Sequence, residues 1–126
     1  MRAADTNVVV RLIVRDDARQ VAAAEAFIAS GAWVSHLALV EAVWVFKTVY
    51  EFSAAKIVEA VGMLVQHESL ILQEPDVVLA AVELHRSRPA VGFSDCMILE
   101  LARKAGHGPV GTFDRALAKL PGAAGL

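Results

Sequence analysis

"AADTNVVVRLIV", residues 3–14, sets an acid and two polar residues between two apolar runs, and its reading decides the fold class. Asp, Thr and Asn side chains accept from the first free N–H groups of a helix. Asp5, Thr6 and Asn7 therefore predict that a short strand over residues 1–4 gives way at once to a helix ending near Asp16 and Asp17. A second consequence follows from the position of Asp5. In α/β sheets ligands are held outside the carboxyl ends of the strands, which is where Asp5 falls. A cap and a functional carboxylate are both open readings of this residue, and the rest of the chain bears on the choice.

The same alternation runs to the C-terminus. "DARQVAAAEAFIASG" has apolar residues at helical spacing, Val21, Ala24, Phe27 and Ile28, with Gly31 as the stop. "AWVS" predicts a short strand and Ser35 the cap of a helix over "HLALVEAVWVFKTVY". "AAKIVEAVGMLVQH" places Ile57, Val61, Leu64 and Val65 on one helical face, and "SLILQ" is a strand bounded by Pro75. Asp76 opens the next helix, Ser94 opens "SDCMILELARKAG" and Gly106 closes it, and "GPVGT" is a last strand before "FDRALAKL". Strands alternating with helices call for a short, mainly parallel central sheet flanked by helices, an α/β fold.

The chain of 126 residues is long enough for one core, so residues 1–126 are expected to form a single domain. Its mean hydropathy of +0.51 raises the question of a membrane span. The longest stretch free of Asp, Glu, Lys and Arg, residues 26–40, contains Ser30, Gly31, Ser35 and His36 and falls short of the roughly 18 clean apolar residues a span needs. Arg2 and Asp5 leave no room for a signal sequence, so a soluble, cytoplasmic protein is expected, with no membrane partner. Its surplus apolar surface suits a partner or a second copy. Cys96 is alone, which excludes an intrachain disulfide and a cysteine-based zinc site. With a net charge of −2 there is no basic field for nucleic acid, so such contact must be local or metal-mediated.

Four acids then stand out. Asp5 and Asp114 follow predicted strands, while Glu41 and Asp95 lie near the starts of helices. Glu41 is the only acid or base between Glu25 and Lys47, and its helical neighbours Leu37, Ala38, Trp44 and Val45 are apolar. Each residue has a plain structural reading: caps for Asp5, Asp95 and Asp114, and a solvent-facing side chain for Glu41. A parallel sheet makes all four converge on one edge. At about 5 Å and an effective dielectric near 20, each like-charged pair costs roughly 3 kcal/mol. A hard divalent cation removes that cost, and an all-oxygen set suits Mg²⁺ or Mn²⁺ rather than zinc. His36, His67, His85 and His107 lack ligand spacing and are read as structural or exposed. Arg86 and Arg88 are read as a solvated loop, Arg11 as the partner of an unidentified carboxylate, and the stripe of Trp44, Val45, Val49 and Tyr50 as core.

"DTNVVVRL", "SHLALVEAVWVF", "FSDCMILELA" and "GTFDRALAKLPG" together resemble the four acidic motifs of PIN-domain nucleases, specifically VapC-type toxins of bacterial toxin–antitoxin pairs. The resemblance spans nearly the whole chain. It implies a three-layer α/β/α sandwich and a Mg²⁺- or Mn²⁺-dependent endoribonuclease. Asp5, Glu41, Asp95 and Asp114 would be its catalytic and metal-binding set, with Asn7 and Thr112 as supporting polar residues. It implies an RNA substrate, a cognate VapB-like antitoxin and a homodimer. Some relatives carry a further acid in the last motif, where this chain has Thr112 and Ala116, so any second metal is weakly held. The alternative is a PIN-like binding module with an idle acidic cluster. A receiver-type phosphotransfer domain fails because "SLILQ" ends in Gln73 and Glu74 and "GPVGT" offers no Lys. A haloacid-dehalogenase-type phosphatase fails because Asn7 stands where it needs a second Asp.

Overall fold

The computed structural model describes all 126 residues, Met1–Leu126, as two compact units, Met1–Pro75 and Asp76–Leu126. In the first unit the order is β1 (Arg2–Ala3), α1 (Thr6–Ile13), α2 (Ala18–Ile28), β2 (Ala32–Val34), α3 (His36–Thr48), α4 (Ala54–Gln66) and β3 (Leu70–Leu72). The strands form one parallel sheet in the order β1-β2-β3, with Arg2 opposite Ala32 and Trp33 opposite Ile71. Parallel neighbours require a crossover. Here each crossover is a pair of helices. This is the α/β architecture expected from the alternating pattern, consistent with a three-layer α/β/α fold.

Local chemistry starts each helix of this unit; the caps at Asp5 and Ser35 are those the sequence predicts, and Asp17 and Ser53 add two more. Asp5 caps α1, Asp17 accepts from Gln20 N–H at 3.0 Å, Ser35 from Ala38 N–H at 3.1 Å, and Ser53 from Lys56 N–H at 3.2 Å. Gly31 takes a φ of 98°, which only glycine adopts without strain, and turns the chain from α2 into β2. The core gathers Val9, Val10, Ile28, Val34, Leu39, Phe46, Val61 and Leu64, and Phe46 stacks on Phe52 with centroids 5.1 Å apart.

One expectation fails here. The stripe of Trp44, Val45, Val49 and Tyr50 is not core: Trp44 is 64% and Val49 63% exposed, and Val45 and Tyr50 are half-buried. The buried face of α3 is Ala38, Leu39, Ala42, Val43 and Phe46. Because α3 is apolar almost all round, periodicity in the sequence does not single out one face. Glu41, on the same helix, is exposed, which is the solvent-facing placement read from the sequence. Arg11 finds its carboxylate in Asp16 and also donates to the Tyr50 hydroxyl at 2.9 Å.

The second unit contains α5 (Pro75–Ser87), which begins at the boundary, then α6 (Phe93–Ala105), β4 (Val110–Thr112), α7 (Arg115–Ala118) and β5 (Ala123–Gly125). Its strands form a parallel pair, Val110 opposite Ala123. The sequence reading missed β5, since Ala-Ala-Gly carries no strand signal and is ordered by pairing alone. Ser94 is not the cap of α6. The helix starts earlier, at Phe93, with Gly92 at the cap position and no side-chain bond there. Phe93 is buried, its ring edge-on to His85 at 6.2 Å, and that burial sets the start of the helix. His85, 4% exposed, is a core histidine whose Nδ1 bonds the Val91 carbonyl at 2.7 Å.

Candidate active site

Each unit carries two of the four singled-out acids. Asp5 follows β1 closely, in extended backbone, and its Oδ1 accepts from Thr6 N–H at 2.7 Å. The next side chain makes the link to α3: Thr6 Oγ1 donates to Glu41 Oε2 at 2.9 Å. Thr6 was read from the sequence only as a capping-type residue; its role as the bridge to Glu41 depends on a partner 35 residues away, which no local pattern shows. Asn7 is exposed on the first turn of α1.

In the second unit Asp114 follows β4 and caps α7, accepting from Leu117 N–H at 2.8 Å. Thr112 Oγ1 accepts from Asp114 N–H at 2.9 Å, so Thr112 orients the acid through its backbone. Asp95 lies in the first turn of α6 and is half-buried, with no hydrogen bond to a helix N–H. The cap reading therefore describes Asp5 and Asp114 and not Asp95. Burial, and after it the negative charge of Asp114, push the Asp95 carboxyl above the usual carboxylate range. Phe113, 84% exposed between Thr112 and Asp114, was not singled out in the sequence because an isolated Phe there has no periodic partner.

A shared electrostatic character emerges. Asp16, Glu25, Asp76, Glu83 and Glu100 pair with Arg or Lys, whereas Asp5, Glu41, Asp95 and Asp114 do not, a property they share with Asp17, Glu51, Glu59 and Glu68. Asp5, Glu41 and Asp114 each have one oxygen engaged by a neutral donor while the other has no intramolecular partner. Such acids lack positive charge, and a hard cation with oxygen ligands fits them chemically. No group of three or more His, Cys, Asp or Glu side chains that could hold a metal ion is present in the structure.

A family model described as PIN domain matches residues 3–123. No curated protein and no solved structure matches the chain. The family match runs through β1, both acidic pairs and the start of β5, so its span includes every residue of the candidate set. The chain belongs to the PIN domain family.

Proposed function

We propose that this PIN domain is a Mg²⁺- or Mn²⁺-dependent endoribonuclease and acts as the toxin of a type II toxin–antitoxin pair. PIN domains are generally nuclease domains, and the family match supports that coarser statement. The observation that supports the finer reading is Asp95, half-buried on α6 with no cationic partner and with its carboxyl raised by burial and by the charge of Asp114. A half-buried carboxyl facing a second negative charge costs stability at that one position, and a function that needs a cation there accounts for the cost.

In this reading Asp5, Glu41, Asp95 and Asp114 hold the cation. When bound, it neutralises charge on the phosphodiester and acidifies the attacking water. The chain's own contribution is orientation. Backbone N–H groups fix Oδ1 of Asp5 and Asp114, Thr6 fixes Oε2 of Glu41, and Thr112 fixes the backbone of Asp114. Rotamers locked in this way lose little entropy on binding. Asn7, exposed beside Asp5, is a polar contact for substrate or water. The toxin role, a VapB-like antitoxin and a homodimer rest on the likeness of the four motifs to VapC-type toxins.

The test is cleavage of single-stranded and looped RNA, whose unpaired bases are accessible. Cleavage is expected with Mg²⁺ or Mn²⁺, with 5′-phosphate and 3′-hydroxyl ends, and is expected to stop with chelator and in D5N and D95N. Unchanged cleavage by both variants, or 2′,3′-cyclic phosphate ends, would overturn the mechanism. Binding of the adjacent gene's product with loss of cleavage supports the toxin role; binding that leaves cleavage intact counts against inhibition at the site.

A further inference from the structure

One feature of the first unit lies outside the acidic set: a cleft of about 450 Å³ between α1 and α2. It is lined from α1 by Asn7, Val8 and Arg11 and from α2 by Gln20, Ala23, Ala24 and Phe27. That volume lies within the range of small-ligand sites. Helical geometry explains the lining, since positions 7, 8 and 11 share one face of α1 and positions 20, 24 and 27 one face of α2. The cleft reaches the start of α1, two residues from Asp5.

Its chemistry is mixed in a specific way. Val8 and Phe27 supply apolar and aromatic surface. The side-chain amides of Asn7 and Gln20 make no hydrogen bond within the protein, so each offers a donor and an acceptor. Arg11 is held by Asp16 and Tyr50 and forms a fixed cationic wall. Arg2 has its guanidinium 4.9 Å from the Phe27 ring centroid, donates to the Phe27 carbonyl at 3.4 Å and has no carboxylate partner. Arg2 stands beside the cleft rather than in its lining, over one face of the Phe27 ring.

We propose that this cleft binds one unpaired base of a single-stranded RNA, with the Asn7 and Gln20 amides reading its edge, Phe27 contacting its face and Arg2 meeting the adjoining phosphate. The proposal rests on the nuclease reading and adds to it a base-selecting subsite. Amides suit this task because a base edge presents adjacent donors and acceptors. An aromatic surface gives affinity to any base through its π-face. A protein helix would use the cleft differently: it would need a continuous apolar floor, whereas here polar side chains stand on both walls.

The experiment uses the full chain and fluorescein-labelled RNA hexamers that differ at a single base, with binding read by anisotropy in chelator and cleavage read separately with Mn²⁺. Wild type is expected to discriminate among the four bases at one position. Q20L should reduce that discrimination by about tenfold. A23W, which fills the cleft from an exposed position of α2, should weaken binding of all hexamers by a similar factor. Discrimination that persists unchanged in both variants overturns the subsite even if the chain cleaves RNA. Loss of discrimination in Q20L without any cleavage supports the subsite and counts against the nuclease reading instead. If A23W leaves RNA binding intact but abolishes binding of the C-terminal peptide of the adjacent gene's product, the cleft is a protein-docking surface and the proposal is wrong.

Discussion

Asp5 shows how one carboxylate serves two ends. Its Oδ1 caps α1, and the other oxygen has no intramolecular partner. The two roles separate by substitution, because Asn caps a helix about as well as Asp, whereas Ala costs about 1 kcal/mol. D5N is expected to keep wild-type stability in urea denaturation, and D5A to lose about 1 kcal/mol. Both should lose cleavage. Equal loss of stability in the two variants would mean that the charge, and not the hydrogen bond, supports the fold. Asp95 presents the opposite case, a half-buried acid that caps nothing and feels the charge of Asp114.

At the scale of elements, α1 and α3 are joined twice. Thr6 bonds Glu41 at 2.9 Å, and Arg11 bonds Tyr50, which follows α3, at the same distance. Asp16, beyond the end of α1, completes the second link. Tyr50 and Asp16 both raise the Arg11 pKa above its ordinary value, with the Tyr50 hydrogen bond the larger cause, so the guanidinium stays charged. Y50F removes that acceptor while Asp16 remains, and is expected to cost about 1 kcal/mol in chemical denaturation. A value near zero would show that water replaces the hydroxyl without loss. At the far end of α6, Gly106 has a φ of 80° and its N–H reaches the carbonyls of Ala102 and Arg103, which closes the helix.

For the whole molecule, the raised Asp95 carboxyl fixes the sign of a pH effect. A carboxyl whose folded pKa is raised contributes stability that is present below its unfolded pKa and is lost as pH rises through the folded value. Asp76 and Glu83 act oppositely, their carboxyls lowered by Lys104 and Arg86, so their contribution is lost as pH falls. D95N should therefore match or exceed wild-type stability at neutral pH, by no more than about 1 kcal/mol because solvent screens the charge. The difference should vanish in acid. Mg²⁺ or Mn²⁺ at 100 times its Kd should stabilise wild type by about 2.7 kcal/mol, and D95N much less. Thermal denaturation with and without metal at neutral and acidic pH measures both effects; a D95N variant that is less stable than wild type without metal would contradict the repulsion.

The sequence by itself determined the order of helices and parallel strands, the caps at Asp5 and Ser35, the stop at Gly106 and the four acidic motifs. These are interactions among residues within about four positions of one another, so their signals lie in adjacent letters. Tertiary structure alone decided the rest. It selected Ala38, Leu39, Ala42, Val43 and Phe46 as the buried face of α3 and left Trp44 exposed. It began α6 at Phe93 rather than at a Ser94 cap, and it drew Ala123–Gly125 into a strand. It also chose Glu41 for Thr6, and Asp16 and Tyr50 for Arg11. The physical reason is common to all of these. Which face is buried, and which distant side chain completes a hydrogen bond, depends on where chain reversals bring elements together, and an apolar helix or an Ala-Gly segment carries no local preference strong enough to announce it.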